Sequence, residues 1–468
     1  MSALSFSFQL FFIGVVITLL LMTLAFSRSL LENVLLLSIG TMIFYLPGKY
    51  YTFQVASSDQ YWFPQLNFGL FESYGLNSAD ILSVWVMILS IGTLVFNWNL
   101  IITRFTSLGS GTQKAVVWGV ASFVTWILYI FWAFLSANQI SFNSVFSGML
   151  LIQQLKMPVV FGSLFLLLVK HSSLPATLKH LVTAMIFFEV IIGLTQAVQI
   201  TTITTQTNQQ LPLEESMLIR RPTGTFFHSN QYAFVLLLLL LVSINTDNTS
   251  WRVPTLLLAV FGIVLSQSRV VWLLLVVWIG LEFWRWRWHG TPLFKEVLEW
   301  LVQRPRLSAY LAASVVAATI IVIPRLVGSI HFFSEFGGGT LRLQMLKEGL
   351  LVLQQAPLLG FGLGTNVYQM FKLFPDGYIS FFPFAIHNAF LQNSIEVGVV
   401  GMLLFFLPVY FLLRQSSLFG PSFYSWFAAM SILGYYSFHP ASGHFEYGFV
   451  GLVLMTCWLR LAYDKEIK

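Results

Sequence analysis

Residues 220–245 read RRPTGTFFHSNQYAFVLLLLLLVSIN, a short basic and polar motif that passes without a spacer into a segment with no polar side chain from Phe234 to Val242. The second half is too apolar to face water, and the arginines at its head cannot enter a hydrocarbon core without a partner. Together these demands predict a membrane span near 229–245 with charged groups at its mouth. The same texture recurs on both sides of it. Further spans are expected near 4–26, 30–46, 79–100, 115–137, 148–169, 178–199, 253–267, 270–284, 308–330, 388–413, 422–439 and 446–462. That makes about 12–13 transmembrane helices, because a bilayer core of ~30 Å takes about 20 apolar residues to cross. The first span, with no Lys or Arg ahead of Arg28, lacks the basic flank of a cleaved leader and reads as retained.

Composition carries the same message. Of 468 residues, 57% are hydrophobic and 9% charged, against roughly 25% charged in a soluble protein. The mean hydropathy of +0.79 agrees. The fold class expected is all-α, a polytopic integral membrane protein forming one transmembrane domain over 1–468, with the lipid bilayer as its main partner. A nucleic-acid binder, a disordered chain and a secreted disulfide scaffold are excluded, and the single cysteine, Cys457, has no partner within the chain.

Basic residues set the orientation, since short loops rich in Lys and Arg stay cytoplasmic. The segment 285–307 holds Arg285, Arg287, Lys295, Arg304 and Arg306 beside interfacial tryptophans, and reads as an inside loop. Alternating from it places 15 of the 24 basic residues inside and 8 outside, with Lys156 within a span. Three long segments then face outward: 47–78, 200–228 with the arginine motif, and 331–387, the longest. The last is expected to carry an amphipathic helix from Thr340 to about Ala356, stopped by Pro357 and lying along the membrane surface.

Arginine on the outer side runs against the positive-inside bias, so Arg220, Arg221, Arg269 and Arg342 each need a reason. Guanidinium groups match phosphate oxygens and stay charged, which points to a phosphate or pyrophosphate site. Contact with anionic headgroups, or with a loop carboxylate such as Glu214 or Glu215, is the plainer alternative. His387, which with Asn388 ends the longest loop and opens a span, has the chemistry of a general base, or is an ordinary helix-start residue. Glu396 falls on a different helix face and is not paired with it. His439 and His444 lack zinc-ligand spacing, so no metal is expected. The run Gly360-Phe-Gly362-Leu-Gly364 reads as a tight turn, and the absence of any Asp-x-Asp pair argues against a nucleotide-sugar donor held by metal. Lys156 and Glu189, at similar depth in neighbouring spans, are expected to form a buried ion pair.

Arg221-x-x-Gly224 with His228-x-Asn230, the Ser268-Arg269 pair, Arg342 ahead of Pro357 and Gly360-x-Gly362, and His387-Asn388 with Gly398 and Gly401 downstream resemble, in that order, the O-antigen ligase and O-antigen polymerase superfamily of bacterial membrane glycosyltransferases. The resemblance covers roughly 215–410. It implies a multi-pass enzyme of the bacterial inner (plasma) membrane, its site facing the periplasm or cell exterior. Its donor would be an undecaprenyl-pyrophosphate-linked glycan and its acceptor a lipid or glycan hydroxyl, of the lipid A-core type for a ligase, with no cofactor or metal. Carried over, His387 is the general base of an inverting transfer. Arg221 and Arg269, with Arg342 and Arg220, bind pyrophosphate, while His228, Asn230, Asn388, His439 and His444 support them. A polymerase that adds lipid-linked repeats shares these motifs, as do enzymes that glycosylate proteins. From a different class, a small-anion transporter would also place arginines outside, but it would need charged groups on both sides.

Overall fold

The computed structural model describes residues 53–54, 75–76, most of 86–139 and 147–170, then 174–197, 221–224, 229–245, 252–306, 338–381, 385–418 and 422–439 but for a few positions, and scattered positions near 309, 323 and 450–457. The spans expected at 4–26 and 30–46, and nearly all of those at 308–330 and 446–462, lie outside the described residues, as does most of 200–228.

The described chain is helical apart from a two-residue antiparallel ladder, β1 (Phe53–Gln54) with β2 (Gly75–Leu76), within the segment 47–78. The helices are α1 (Trp98–Ser107), α2 (Ser110–Gln139), α3 (Lys156–Lys170), α4 (Leu174–Ala197), α5 (Ser229–Asn245), α6 (Arg252–Leu265), α7 (Arg269–His289), α8 (Pro292–Val302), α9 (Gly338–Leu353), α10 (Asn366–Leu373), α11 (Tyr378–Phe381), α12 (Ala389–Gln415) and α13 (Phe423–Phe438). The opening stretch supplies the centre. From Tyr232 to Val242 every side chain of α5 is at most 1% exposed, because α4, α6, α7 and α13 surround it. A helix apolar on all faces has no side to give to water, and here none is given.

Around that centre the helices turn large apolar side chains outward. On α2, Val117, Val120, Val124, Ile127, Leu128, Phe131 and Phe134 are exposed at helical spacing, while Trp126, Tyr129 and Ala133 are fully buried. Val116–Ala137 and Ala389–Gln415 are long and apolar enough to cross a bilayer. An outward stripe of large apolar side chains would be untenable in water, so the all-α chain is a membrane protein.

One correction falls on 285–307, expected as a loop. Helix α7 continues to His289, ends on Gly290 in the left-handed region (φ 64°), and α8 begins at once with Pro292 in its first turn. Gly290 and Pro292 are stop and start signals that the tryptophan-rich composition masked. Leu293 is buried, Phe294 stacks on Trp286 at 5.7 Å, and Arg252 pairs with Glu296 at 3.1 Å, so α8 is fastened to α6 and α7. The amphipathic helix of the long segment exists as α9, but instead of only lying along a surface it packs on α12, with Met345 and Val352 buried.

The feature that organises this half is a break in α12 at Gly398 (φ 74°, ψ 170°). A helix interrupted inside a protein core leaves carbonyls and amides that need new partners. The glycine turn supplies them: Phe361 N–H donates to the Ile395 carbonyl (2.9 Å), Gly362 N–H to that of Glu396 (2.7 Å), and Val399 N–H to that of Pro357 (2.8 Å). Helix α2 adds two donors, Trp132 Nε1 to the Val397 carbonyl (2.9 Å) and Ser136 Oγ to that of Glu396 (3.1 Å). Gly360, Gly362 and Gly364 all have positive φ, and a Cβ on Gly360 would sit 2.5 Å from the Glu396 carbonyl. The Gly-x-Gly-x-Gly run is therefore a turn, as its sequence suggests, whose purpose is to approach another backbone.

Two alanine substitutions test this. At Gly398 a Cβ would run into the Leu358 carbonyl and the dihedrals are open only to glycine. Gly398→Ala should cost at least ~1–3 kcal/mol, read as a lower thermal midpoint in detergent. Gly280→Ala on α7, where a Cβ meets nothing within 4 Å, should leave that midpoint unchanged or raise it.

Candidate active site

Arg221 is delivered by a clamp. Gln196, near the end of α4, accepts the N–H groups of Thr223 and Gly224 on its Oε1, both at 2.9 Å, and returns its Nε2 to the Gly224 carbonyl at 2.8 Å. Gly224 (φ 58°) passes against the Tyr232 ring and the Glu189 carboxylate, where a Cβ would not fit. With the loop held there, Arg221 Nε donates to the Ser266 carbonyl at 3.2 Å and Nη2 to Asn230 Oδ1 at 3.2 Å. Ser266 belongs to the turn between α6 and α7, in which Gln267 has a positive φ of 56°. Two widely separated pieces of the arginine pattern, Arg221 and Ser268-Arg269, are thus brought to one corner. Arg269 is the first residue of α7. Ser268, its N-cap, forms no side-chain cap hydrogen bond, and its buried Oγ has no hydrogen-bond partner among the described residues. A helix N-terminus carrying an arginine and an uncommitted hydroxyl suits an anion.

The second group comes from α9 and the chain that follows it. Glu348 accepts the Tyr378 N–H on both carboxylate oxygens (3.2 Å each) and Gln344 Nε2 at 2.9 Å, which ties the start of α11 to α9. Arg342, one and a half turns earlier on α9, lies in the fields of both Tyr378 and His387. Burial lowers the Arg342 pKa, opposed by Tyr378, and burial raises that of Tyr378, opposed by Arg342. For His387, burial first and the Arg342 charge second bring the value down from 6.5 to about 4. The imidazole is therefore neutral at physiological pH. Its Nδ1 lies 3.1 Å from the Ala385 carbonyl, an acceptor without a proton of its own, so the ring proton belongs on Nδ1 and the lone pair on Nε2.

Contacts join the two groups at one end of the helix bundle. Phe234, one turn past Asn230, stacks on Tyr435 (3.8 Å), which stacks on His439 at the end of α13 (4.4 Å). Two residues before His439, the Ser437 carbonyl accepts Asn388 Nδ2 at 3.2 Å. Asn388 also caps α12 by accepting the Leu391 N–H at 2.9 Å, and so fixes the chain directly after His387. Asn230 thus contacts Arg221, Asn388 fixes the chain after His387, and His439 stacks on Tyr435. Arg220, His228 and His444 lie outside the described residues.

Several participants carry no sequence signal. Gln196 is one amide near a span end, and Asn366 and Tyr378 sit in an ordinary-looking stretch of the long segment. Lys156 and Glu189 are both buried on the neighbouring helices α3 and α4, and Glu189 faces the Arg221 loop through Gly224 and Tyr232, so it bears on the site as well as on helix packing.

No curated protein matches the chain. A family model described as O-antigen ligase matches residues 254–406, the stretch from α6 into α12 that contains Arg269, Arg342, His387 and the glycine turn. Over that stretch, about a third of its length, the chain is similar to the O-antigen ligase family.

Proposed function

We propose that the protein transfers a glycan from undecaprenyl pyrophosphate to a hydroxyl of a lipid A-core type acceptor at the outer face of the bacterial inner membrane. The observation that carries this reading is a neutral, tautomer-fixed His387 in the field of the charged Arg342, both part-buried. Such a pair suits an acceptor that must lose a proton beside a donor that bears phosphate.

In this mechanism Arg221, Arg269 and the N-terminus of α7 hold the pyrophosphate, with Arg342 reaching it from α9. His387 Nε2 takes the proton of the acceptor hydroxyl as its oxygen attacks the anomeric carbon. The bond from that carbon to the pyrophosphate oxygen breaks, and its electron pair stays on the oxygen of the departing undecaprenyl pyrophosphate, whose charge the guanidinium groups neutralise. Attack opposite the leaving group inverts the anomeric centre. Charge neutralisation comes from arginine, so the reaction as drawn calls for no metal.

His387→Ala should lower transfer by about 10²–10⁴-fold, the usual worth of a general base, with undecaprenyl pyrophosphate binding retained. Wild-type turnover in that variant would remove His387 from the mechanism. Arg269→Ala should weaken binding and turnover together, and Arg269→Lys should restore them only in part, since an ammonium lacks the guanidinium fork.

The pH dependence follows from the lowered imidazole. In the free enzyme the base form persists down to about pH 4, so kcat/KM should hold until then and fall below it. Bound pyrophosphate offsets the Arg342 charge, so the acid limb of kcat should lie at higher pH than that of kcat/KM. Arg342→Ala should move the kcat/KM limb upward in the same sense. A limb fixed at 6.5 in both proteins would contradict the assignment.

Ligase and polymerase separate in one assay: purified protein is given lipid-linked repeats as the sole substrate. A ladder of lengthened lipid-linked products would establish the polymerase and refute the ligase. Product only on addition of lipid A-core is the outcome expected.

A further inference from the structure

We infer that Asn366 and Glu396 are positioning residues for the base, acting on His387 through a single peptide group; this rests on the reading of His387 given above. The Glu396 carboxylate is buried in α12 immediately before the Gly398 break and collects four donors. These are Gln392 Nε2 at 3.1 Å, Asn366 Nδ2, and the backbone N–H groups of Gly364 and Asn366. A carboxylate only accepts, so it turns the Asn366 amide with its NH2 inward and its oxygen outward. That oxygen, Oδ1, accepts the Ile386 N–H at 3.4 Å.

The Ile386 N–H and the Ala385 carbonyl belong to the same peptide plane, and it is the Ala385 carbonyl that holds His387 Nδ1 at 3.1 Å. Because the peptide unit is rigid, fixing its N–H end fixes the direction of its carbonyl. The Ile386 side chain is seated against Gly349 of α9, where a Cβ would come within 2.9 Å of its Cδ1, which holds the plane from a second side. Glu396 thus sets the rotamer of Asn366, Asn366 sets the peptide, and the peptide sets both the tautomer and the aim of the imidazole. Glu396 lies on another face of the helix from His387, and this path is the link between them.

The test uses the full-length protein in detergent. Transfer is measured with lipid-linked oligosaccharide extracted from host membranes, and binding is measured with undecaprenyl pyrophosphate. Asn366→Ala removes the link to Ile386 while leaving Glu396 its other donors. A misaimed base should lower kcat about 10–100-fold, with KM and undecaprenyl pyrophosphate binding within about twofold of wild type, a split that a general loosening of the fold would not give. A kcat within about twofold of wild type, or binding lost in step with kcat, would overturn the inference. Glu396→Gln alone and Asn366→Asp alone should both be slow, the first because donors then face donors, the second because two carboxylates meet. The double variant Asn366→Asp/Glu396→Gln restores a donor and an acceptor between the two side chains and should recover kcat at least tenfold over either single change. Absence of recovery would refute the path even if Asn366→Ala proved too unstable to assay. His387→Ala run alongside separates the two levels: if it is inactive while Asn366→Ala is at the wild-type rate, only the positioning role is lost. If His387→Ala is itself active, both fall.

Discussion

The site-bearing half of the protein depends on a helix that stops being a helix for one residue. At Gly398 the backbone of α12 leaves the helical region, and carbonyls that would have been satisfied within the helix turn outward. In an apolar interior each such group left unpaired costs roughly 1–3 kcal/mol. The glycine turn at 360–364 and two side chains of α2 meet that demand, and in doing so they bind three distant pieces of chain to one level. Glycine is required on both sides of the contact because two backbones can approach this closely only where neither carries a Cβ.

From that junction the positions of the reactive groups follow. The turn leads straight into α10, whose first residue, Asn366, meets the side chain of Glu396, whose carbonyl is itself part of the junction. The chain then returns past Tyr378, tied down by Glu348, and arrives at Ala385–Asn388, where α12 begins. His387 is therefore reached twice, once along the chain that enters α12 and once across space from α12 itself. The arginine corner is built differently, at the polar mouth of the otherwise apolar α5, and depends on two polar contacts, Gln196 on the Gly224 loop and Arg221 on Asn230, and on the aromatic stack of Phe234 with Tyr435 and His439.

What the sequence revealed and what it concealed divide along the range of the interaction. The run 229–245 announced a buried helix because hydrophobicity is a property of each residue, and the observed α5 has the expected ends. Arg221, Arg269, Arg342 and His387 stood out because charge and imidazole are rare in such a chain. The glycine run could be read as a turn, since three glycines at alternate positions serve little else, but not as the partner of a break 34 or more residues away. Asn366 and Gln196 gave no sign, because one amide side chain has no periodicity and its meaning lies entirely in what it faces. Helix α8 was concealed for another reason: its tryptophan-rich approach was read as an interfacial loop, although Gly290 and Pro292 mark a helix end and a helix start.

The clamp at the glycine turn also has a mechanical side. Helix α9 is joined to the rest of the domain at its C-terminal end by a segment pinned to α12 through three backbone hydrogen bonds. Farther along, Met345 is buried and Glu348 holds the Tyr378 N–H, so α9 is fastened well beyond that pin. Arg342 sits near its other end, about 16 Å from Leu353 at 1.5 Å per residue. Arg342 and His387 are thus carried by two separate pieces of chain that share the glycine turn as an anchor.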